Sequence, residues 1–344
     1  MNKSSVFYNE IMKHPYRILA YISALHWLID FACAFAVFSG YVRVQEAAVV
    51  YLYYNFAAFA LQMPLGILAD LLGRKTGSRV FAGKAFVIAG VLFTGVGLKT
   101  SVWLLGLGNA LFHVGGGLLS IVADDQVQMA GRGLGIFVAP GAVGLYLGTY
   151  LGKFGNPGEV FPFIAVIGFL SATLLLEETE DFRLAAPGQT GRPGRIALYC
   201  FLIVVLRSWV GMNMRFSWNT GLLAGCAASM AIALGKAGGG FAAAKYGRLH
   251  SAVITLVMAA VLFAVPVMPA GLLALFLFNM TMPMTLYRLY QALPEQPGFA
   301  FGLLTFALFI GFVPKLAGLT FNPVLFAGIG CLISTGLFML AERP

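Results

Sequence analysis

Charge is scarce in this chain: Asp, Glu, Lys and Arg make up 10% of its 344 residues. Soluble domains carry roughly 25%, so a water-facing surface of the usual kind is excluded. Cysteine is sparse too. Cys33, Cys200, Cys226 and Cys331 each lie inside an apolar run and have no metal-ligand spacing, which excludes a disulfide framework and a cysteine-held metal. No Gly-rich phosphate loop ending in Gly-Lys-Ser/Thr, no His-Glu-x-x-His pair and no serine-nucleophile elbow is present. ATP is therefore not the expected power source, and neither an enzyme, a cofactor nor a metal is expected. The longest polar stretch, Glu177–Arg195, is too short for a folded soluble domain. Met1 to His14 is polar and carries no evident cleavable leader.

What the chain has in abundance is apolar sequence, 60% of all residues. Twelve blocks fall at 17–42, 46–70, 79–98, 102–123, 133–153, 158–177, 196–214, 218–244, 250–268, 270–291, 298–315 and 320–340. Blocks of about 20 residues match a hydrocarbon core of ~30 Å. Backbone in hydrocarbon has no water to bond, so each block is expected to be a helix. The fold class expected is an all-α integral membrane protein. A net charge of +9 does not point to nucleic acid here, because the basic residues sit mostly in short connections. With the N-terminus inside, the outer segments hold only Arg43, Lys99, Lys153, Arg215 and Lys315, and the inner ones most of the rest. That positive-inside bias places both termini in the cytoplasm of a cell-membrane protein.

The blocks divide into six and six: a bundle over 1–177, a cytoplasmic linker over 178–195, and a second bundle over 196–344. A repeat supports the division. Gly66, Gly73 and Arg74 end the second block, and Gly240, Gly247 and Arg248 end the eighth, at a constant offset of 174 residues.

The run Gly66-Ile-Leu-Ala-Asp70-Leu-Leu-Gly73-Arg74-Lys75, between the second and third blocks, resembles the signature of the major facilitator superfamily. Leu71 stands where that pattern has a basic residue. The resemblance implies twelve transmembrane helices in two six-helix pseudo-repeats and secondary transport of a small solute. It also implies that Asp70 faces the start of helix eleven, near Gly298, and latches the cytoplasmic side. The alternative is a tight turn made by Gly66 and Gly73. Ala139-Pro140-Gly141-Ala142-Val143-Gly144 partly resembles the Gly-Pro motif of proton-driven drug exporters, and such glycines also serve plain helix packing. Gly108–Gly117 is similar to helix four of fosmidomycin-resistance-type exporters.

An ionisable residue inside a span calls for a function or a partner. Asp30 is the acid deepest in an apolar block, with His26 one turn earlier on the same face. Burial favours an uncharged carboxyl unless a cation opposes it, which suits proton coupling; the alternative is a static pair with Arg207. Arg207 stays charged and suits an anionic group on a solute, unless it merely neutralises Asp30. Trp209 lies beside it and is expected, with Asn109 and Asn279, to bind the solute; His113, one turn from Asn109 in the fourth block, is expected to serve proton coupling, the alternative being a neutral, hydrogen-bonded histidine. Lys236, about two turns from a cytoplasmic end, reads as snorkelling. Tyr287, Arg288 and Tyr290 read as an interface anchor. The resemblance, in which helices one, four, seven and ten line the cavity, selects His26, Asp30, Asn109, His113, Arg207 and Asn279.

The expectation is a monomeric transporter whose partners are a small organic solute with an anionic group, protons and the lipid bilayer. The rival readings are a receptor or lipid-handling protein that moves nothing, and a membrane-embedded enzyme using His26, Asp30 or His113.

Overall fold

Each apolar block becomes one helix. The structure, a computed structural model, describes residues 14–177, 192–319 and 321–343. Among these residues there is no strand, and the order is α1 (His14–Val44), α2 (Ala47–Thr76), α3 (Arg79–Thr100), α4 (Val102–Gln126), α5 (Arg132–Gly152), α6 (Pro157–Leu176), α7 (Pro193–Asn213), α8 (Gly221–Tyr246), α9 (Arg248–Phe263), α10 (Met268–Ala292), α11 (Pro297–Leu316) and α12 (Pro323–Ala341). All except α9 are long and apolar enough to cross a membrane; α9 has 16 residues. The chain is a multi-pass membrane protein.

Two boundaries differ from expectation for reasons of proline chemistry. The ninth block was expected to run to residue 268, but α9 ends at Phe263. Pro266 offers no N–H and disfavours helix in the residue before it. In contrast, α7 begins at Pro193, inside the stretch expected as linker, because proline is well suited to a first helical position. The rest of that linker, 178–191, and the N-terminal segment before His14 lie outside the described residues.

Glycine spacing sets which helices touch closely. A Cβ on Gly90 or Gly97 of α3 would come within 2.4 Å of α4 backbone, as would one on Gly108 of α4 against Thr94 of α3. The run Gly115-Gly116-Gly117 lets α4 meet three helices at once: Gly83 on α3, Phe137 on α5 and Phe301 on α11. In a membrane, such small faces gain dispersion contact that lipid cannot match. They also place His113, two residues earlier, at mid-helix in the interior.

The main apolar core runs through the first six helices and continues into α7, α10 and α11. A second core joins α7 through α10 with α12. The last helix of each six ends in a glutamate held by cations. Glu177 accepts from Arg17 at 2.5 Å, and Glu342 is held by Arg248 and by Arg288 at 3.5 Å.

Candidate functional site

Polar groups from α1 and α4 converge at mid-helix. His26 and Asp30 are one turn apart on α1, with Nε2 to Oδ2 at 3.2 Å. His113 of α4 brings its Nε2 to 2.9 Å from that of His26 and 3.6 Å from Asp30 Oδ1. Asn109 Nδ2 donates to Asp30 Oδ1 at 3.1 Å and orients the carboxylate. The outer ring nitrogens face backbone carbonyls: His26 Nδ1 meets Phe137 O at 2.6 Å, and His113 Nδ1 meets Asn109 O at 2.8 Å. Both histidines and Asn109 are buried. α5 closes over the cluster through Gly141, where a Cβ would sit 2.3 Å from His26 Nε2. Gly144, Gly148 and Gly152 continue this stripe along α1, so the Gly-Pro segment packs α5 onto α1.

The ligand-type atoms of His26, Asp30 and His113 lie within 4.8 Å of one another, a group whose chemistry suits a metal ion. The spacing argues otherwise. Two nitrogens about 2.0–2.1 Å from a tetrahedral ion are about 3.3 Å apart. At 2.9 Å the two Nε2 atoms are at hydrogen-bond separation.

Arg207 belongs to a separate group on α7 and α10. It donates to Thr281 Oγ1 at 2.8 Å, to Asn279 Oδ1 at 2.7 Å and to the Phe278 carbonyl at 3.3 Å. It makes no ion pair with Asp30 among the described residues, so the static pair weighed from sequence is not formed; Asp30 is matched by histidines instead. Trp209 does not join Arg207. Two residues on, it points about 200° away around the helix and packs with Phe321 and Phe326.

Lys236 of α8 is the residue that sequence reasoning misplaced. It is half-buried and lies within electrostatic reach of Arg207 and Asp30, which places it toward the bundle interior and not at the membrane surface. It has no hydrogen-bond or ion-pair partner among the described residues. The available signal was its neighbourhood. Gly235, Gly239 and Gly240 mark a helix face packed on protein: Gly235 on the Phe276 carbonyl, Gly239 on Met280 and Gly240 on Arg132.

The first and last six helices are shut against each other at the face where α1 begins. Asp70 Oδ1 accepts from Gly298 N–H and Oδ2 from Phe299 N–H, both at 2.8 Å. These are orphan donors at the start of α11, where the helix dipole favours an anion. A Cβ on Gly66 would lie 2.1 Å from Gly298 O, so the glycine admits the close approach. Arg74 is exposed and forms no ion pair with Asp70 among the described residues. Tyr290 donates to Asp125 Oδ2 at 2.5 Å, and Arg79 pairs with Glu295 at 3.4 Å. Tyr290 is thus a cross-bundle contact. Arg288 is buried and donates to the Ala341 carbonyl, so the expected interface anchor is not what these residues make.

The second motif copy works differently. Ala244 replaces the aspartate, and Gly247 turns the chain at φ 85° so that Arg248 reaches Glu342 and, at 2.7 Å, Gln291. The start of α5, the counterpart of α11, takes its carboxylate from the neighbouring helix: Asp124 accepts from Gly131 and Gly133 N–H at 2.6 and 2.5 Å. The carboxylate cap across the bundles is one-sided. A cavity of about 600 Å³ opens at this face between Gly131, Gly240, Arg248, Tyr287 and Glu342; none of the central polar groups lines it.

No family model matches the sequence. No curated protein matches it either. Solved structures do. The chain is similar to the Escherichia coli fucose:proton symporter FucP, at 12% identity, with TM-score 0.62 over 95% of this chain and 98% of that one. FucP in the outward conformation gives 0.60 at 12% identity over 95% and 99%. The human organic anion transporter MFSD10 gives 0.64 at 15% identity over 95% and 98%. The fold is that of major facilitator superfamily transporters.

Proposed function

We propose that this chain is a secondary active transporter that moves a small organic solute carrying an anionic group across the cell membrane by alternating access, coupled to protons. Two six-helix bundles, 1–177 and 196–344, rock about the centre, with both termini cytoplasmic. The observation that carries this reading is the placement of charge. An aspartate–histidine group sits inside the bundle on α1 and α4, and Lys236 of α8 lies within electrostatic reach of both Asp30 and a second cation, Arg207 of α7.

Holding such groups in hydrocarbon costs at least ~2.5–3.5 kcal/mol each, which a merely structural bundle has no reason to sustain. Arg207, fixed by Thr281 and Asn279, presents a planar fork suited to carboxylate or phosphate. Lys236, without a partner, supplies a second positive charge. His26, Asp30 and His113 couple to the proton, with Asn109 orienting the acid. Asp70 and the start of α11 hold the cytoplasmic side shut in the conformation described. Solved proteins of this fold include a proton symporter and an organic anion transporter, which agrees with this reading.

The test is a thermal-shift screen of purified protein against small organic anions, neutral compounds and cations, followed by uptake of each hit into proteoliposomes under an imposed pH gradient. A bound solute raises apparent stability only through the folded state. The reading expects anions to stabilise the protein, Arg207→Gln to remove the effect, and the hit to be recovered unchanged. Stabilisation by cations alone would overturn it.

A further inference from the structure

The hydrogen-bond partners of His26 and His113 determine where their protons sit. A backbone carbonyl has no hydrogen to give, so a ring nitrogen at hydrogen-bond distance from one must be the donor. His26 Nδ1, at 2.6 Å from Phe137 O, therefore carries hydrogen, and so does His113 Nδ1, at 2.8 Å from Asn109 O. If both rings were neutral, both Nε2 atoms would be bare lone pairs. Those two atoms lie 2.9 Å apart, and each also faces an oxygen of Asp30, at 3.2 and 3.6 Å. Two lone pairs and a carboxylate do not converge at such distances in a buried site without positive charge between them.

We propose that the cluster holds one proton between Nε2 of His26 and Nε2 of His113, with Asp30 ionised beside it as counter-ion. The proton turns a repulsive contact into an N–H···N hydrogen bond of ordinary length. It also brings the cluster to zero net charge, since one carboxylate balances one shared imidazolium. A metal ion would supply positive charge as well, but the nitrogens would need to separate by several tenths of an ångström to reach the ~3.3 Å set by zinc–nitrogen distances.

The groups around the pair fit this assignment. On α1 and α4 they are Asp30, Cys33 and Asn109. Tyr54 of α2 contacts Cys33; the positive charge of Lys236 on α8 favours an ionised Asp30 and opposes the proton on His113, so the carboxylate is what holds that proton in place. α5 contributes the Phe137 carbonyl and the Gly141 backbone. Asn109 gives its amide hydrogen to Asp30, as it would to an ionised carboxylate. Phe112 and Phe137 pack their rings against His26. The inference deepens the transport reading by naming where a coupling proton resides. Only the use of that proton rests on transport; its location does not.

The chain has four histidines, which makes the test tractable. The full chain, labelled with ¹⁵N-histidine and reconstituted in lipid, is read by solid-state NMR, with His14→Gln and His250→Gln removing the other two signals. The expected result is two rings with protonated Nδ1 whose Nε2 nuclei couple to each other through one hydrogen. An infrared difference spectrum against Asp30→Asn should show an ionised carboxylate, and the nitrogen–nitrogen coupling should vanish in that variant. Two uncoupled neutral rings, a protonated Asp30, or Nε2 signals that change on treatment with a chelator would each overturn the proposal. Absence of proton-driven uptake in protein that shows the coupling would sink the transport reading and leave the shared proton standing.

Discussion

Asp70 and Gly298, 228 residues apart in sequence, meet at 2.8 Å, and the same carboxylate takes the next amide, Phe299, with its other oxygen. One side chain of α2 thereby satisfies two of the open donors of α11.

Replacing Asp70 with Ala should open the face where α1 begins. Hydrogen bonds to a charged group contribute ~1.5–3 kcal/mol, enough to shift a two-state balance by at least about tenfold. Spin labels at Thr76 and Tyr246, in a background without the native cysteines, would show the distance between them lengthening. An unchanged distance distribution would remove the latch role from Asp70.

The two motif glycines should differ in tolerance. A methyl group on Gly66 would lie 2.1 Å from Gly298 O, whereas one on Gly73 meets its nearest neighbour at 3.5 Å. Overpacking of the first kind costs typically ~1–3 kcal/mol. Gly66→Ala should impair both thermal stability and transport, and Gly73→Ala neither; equal behaviour of the two would contradict the packing account.

Lys236→Met should make the protein more stable and less functional. A half-buried ammonium without a hydrogen-bond or ion-pair partner among the described residues carries a desolvation cost, and removing it should raise Tm by about 2 °C. The same variant should lose stabilisation by the anionic solute. A variant less stable than the parent, with solute binding intact, would show that Lys236 serves structure.

The sign of coupling follows from the charges. With the proton held, the aspartate–histidine group is neutral and leaves Arg207 and Lys236 free to attract an anion. Linkage is reciprocal, so solute and proton should strengthen each other's binding and travel together. Solute affinity measured at descending pH should increase; a decrease would indicate exchange in opposite directions.

Sequence showed the twelve helices and the Asp70 motif well, because span length and turn chemistry are local properties. Asp30 with His26 was legible from one-turn spacing. That His113 joins them was expected from the resemblance; the direct contact of the two rings was not legible, since 87 residues separate them and only the glycine packing of α4 brings them together. Trp209 misled because adjacency along a helix is not adjacency around it. Lys236 misled because its distance from a helix end suggested lipid, while the glycines beside it marked a protein-facing side.

The most direct test of the central claim compares the parent protein with Asp30→Asn in proteoliposomes given an anionic solute identified by thermal shift and an inward proton gradient. The account predicts that the parent concentrates the solute against its gradient, and that the variant exchanges it only down its gradient. Undiminished uphill accumulation by Asp30→Asn would contradict it.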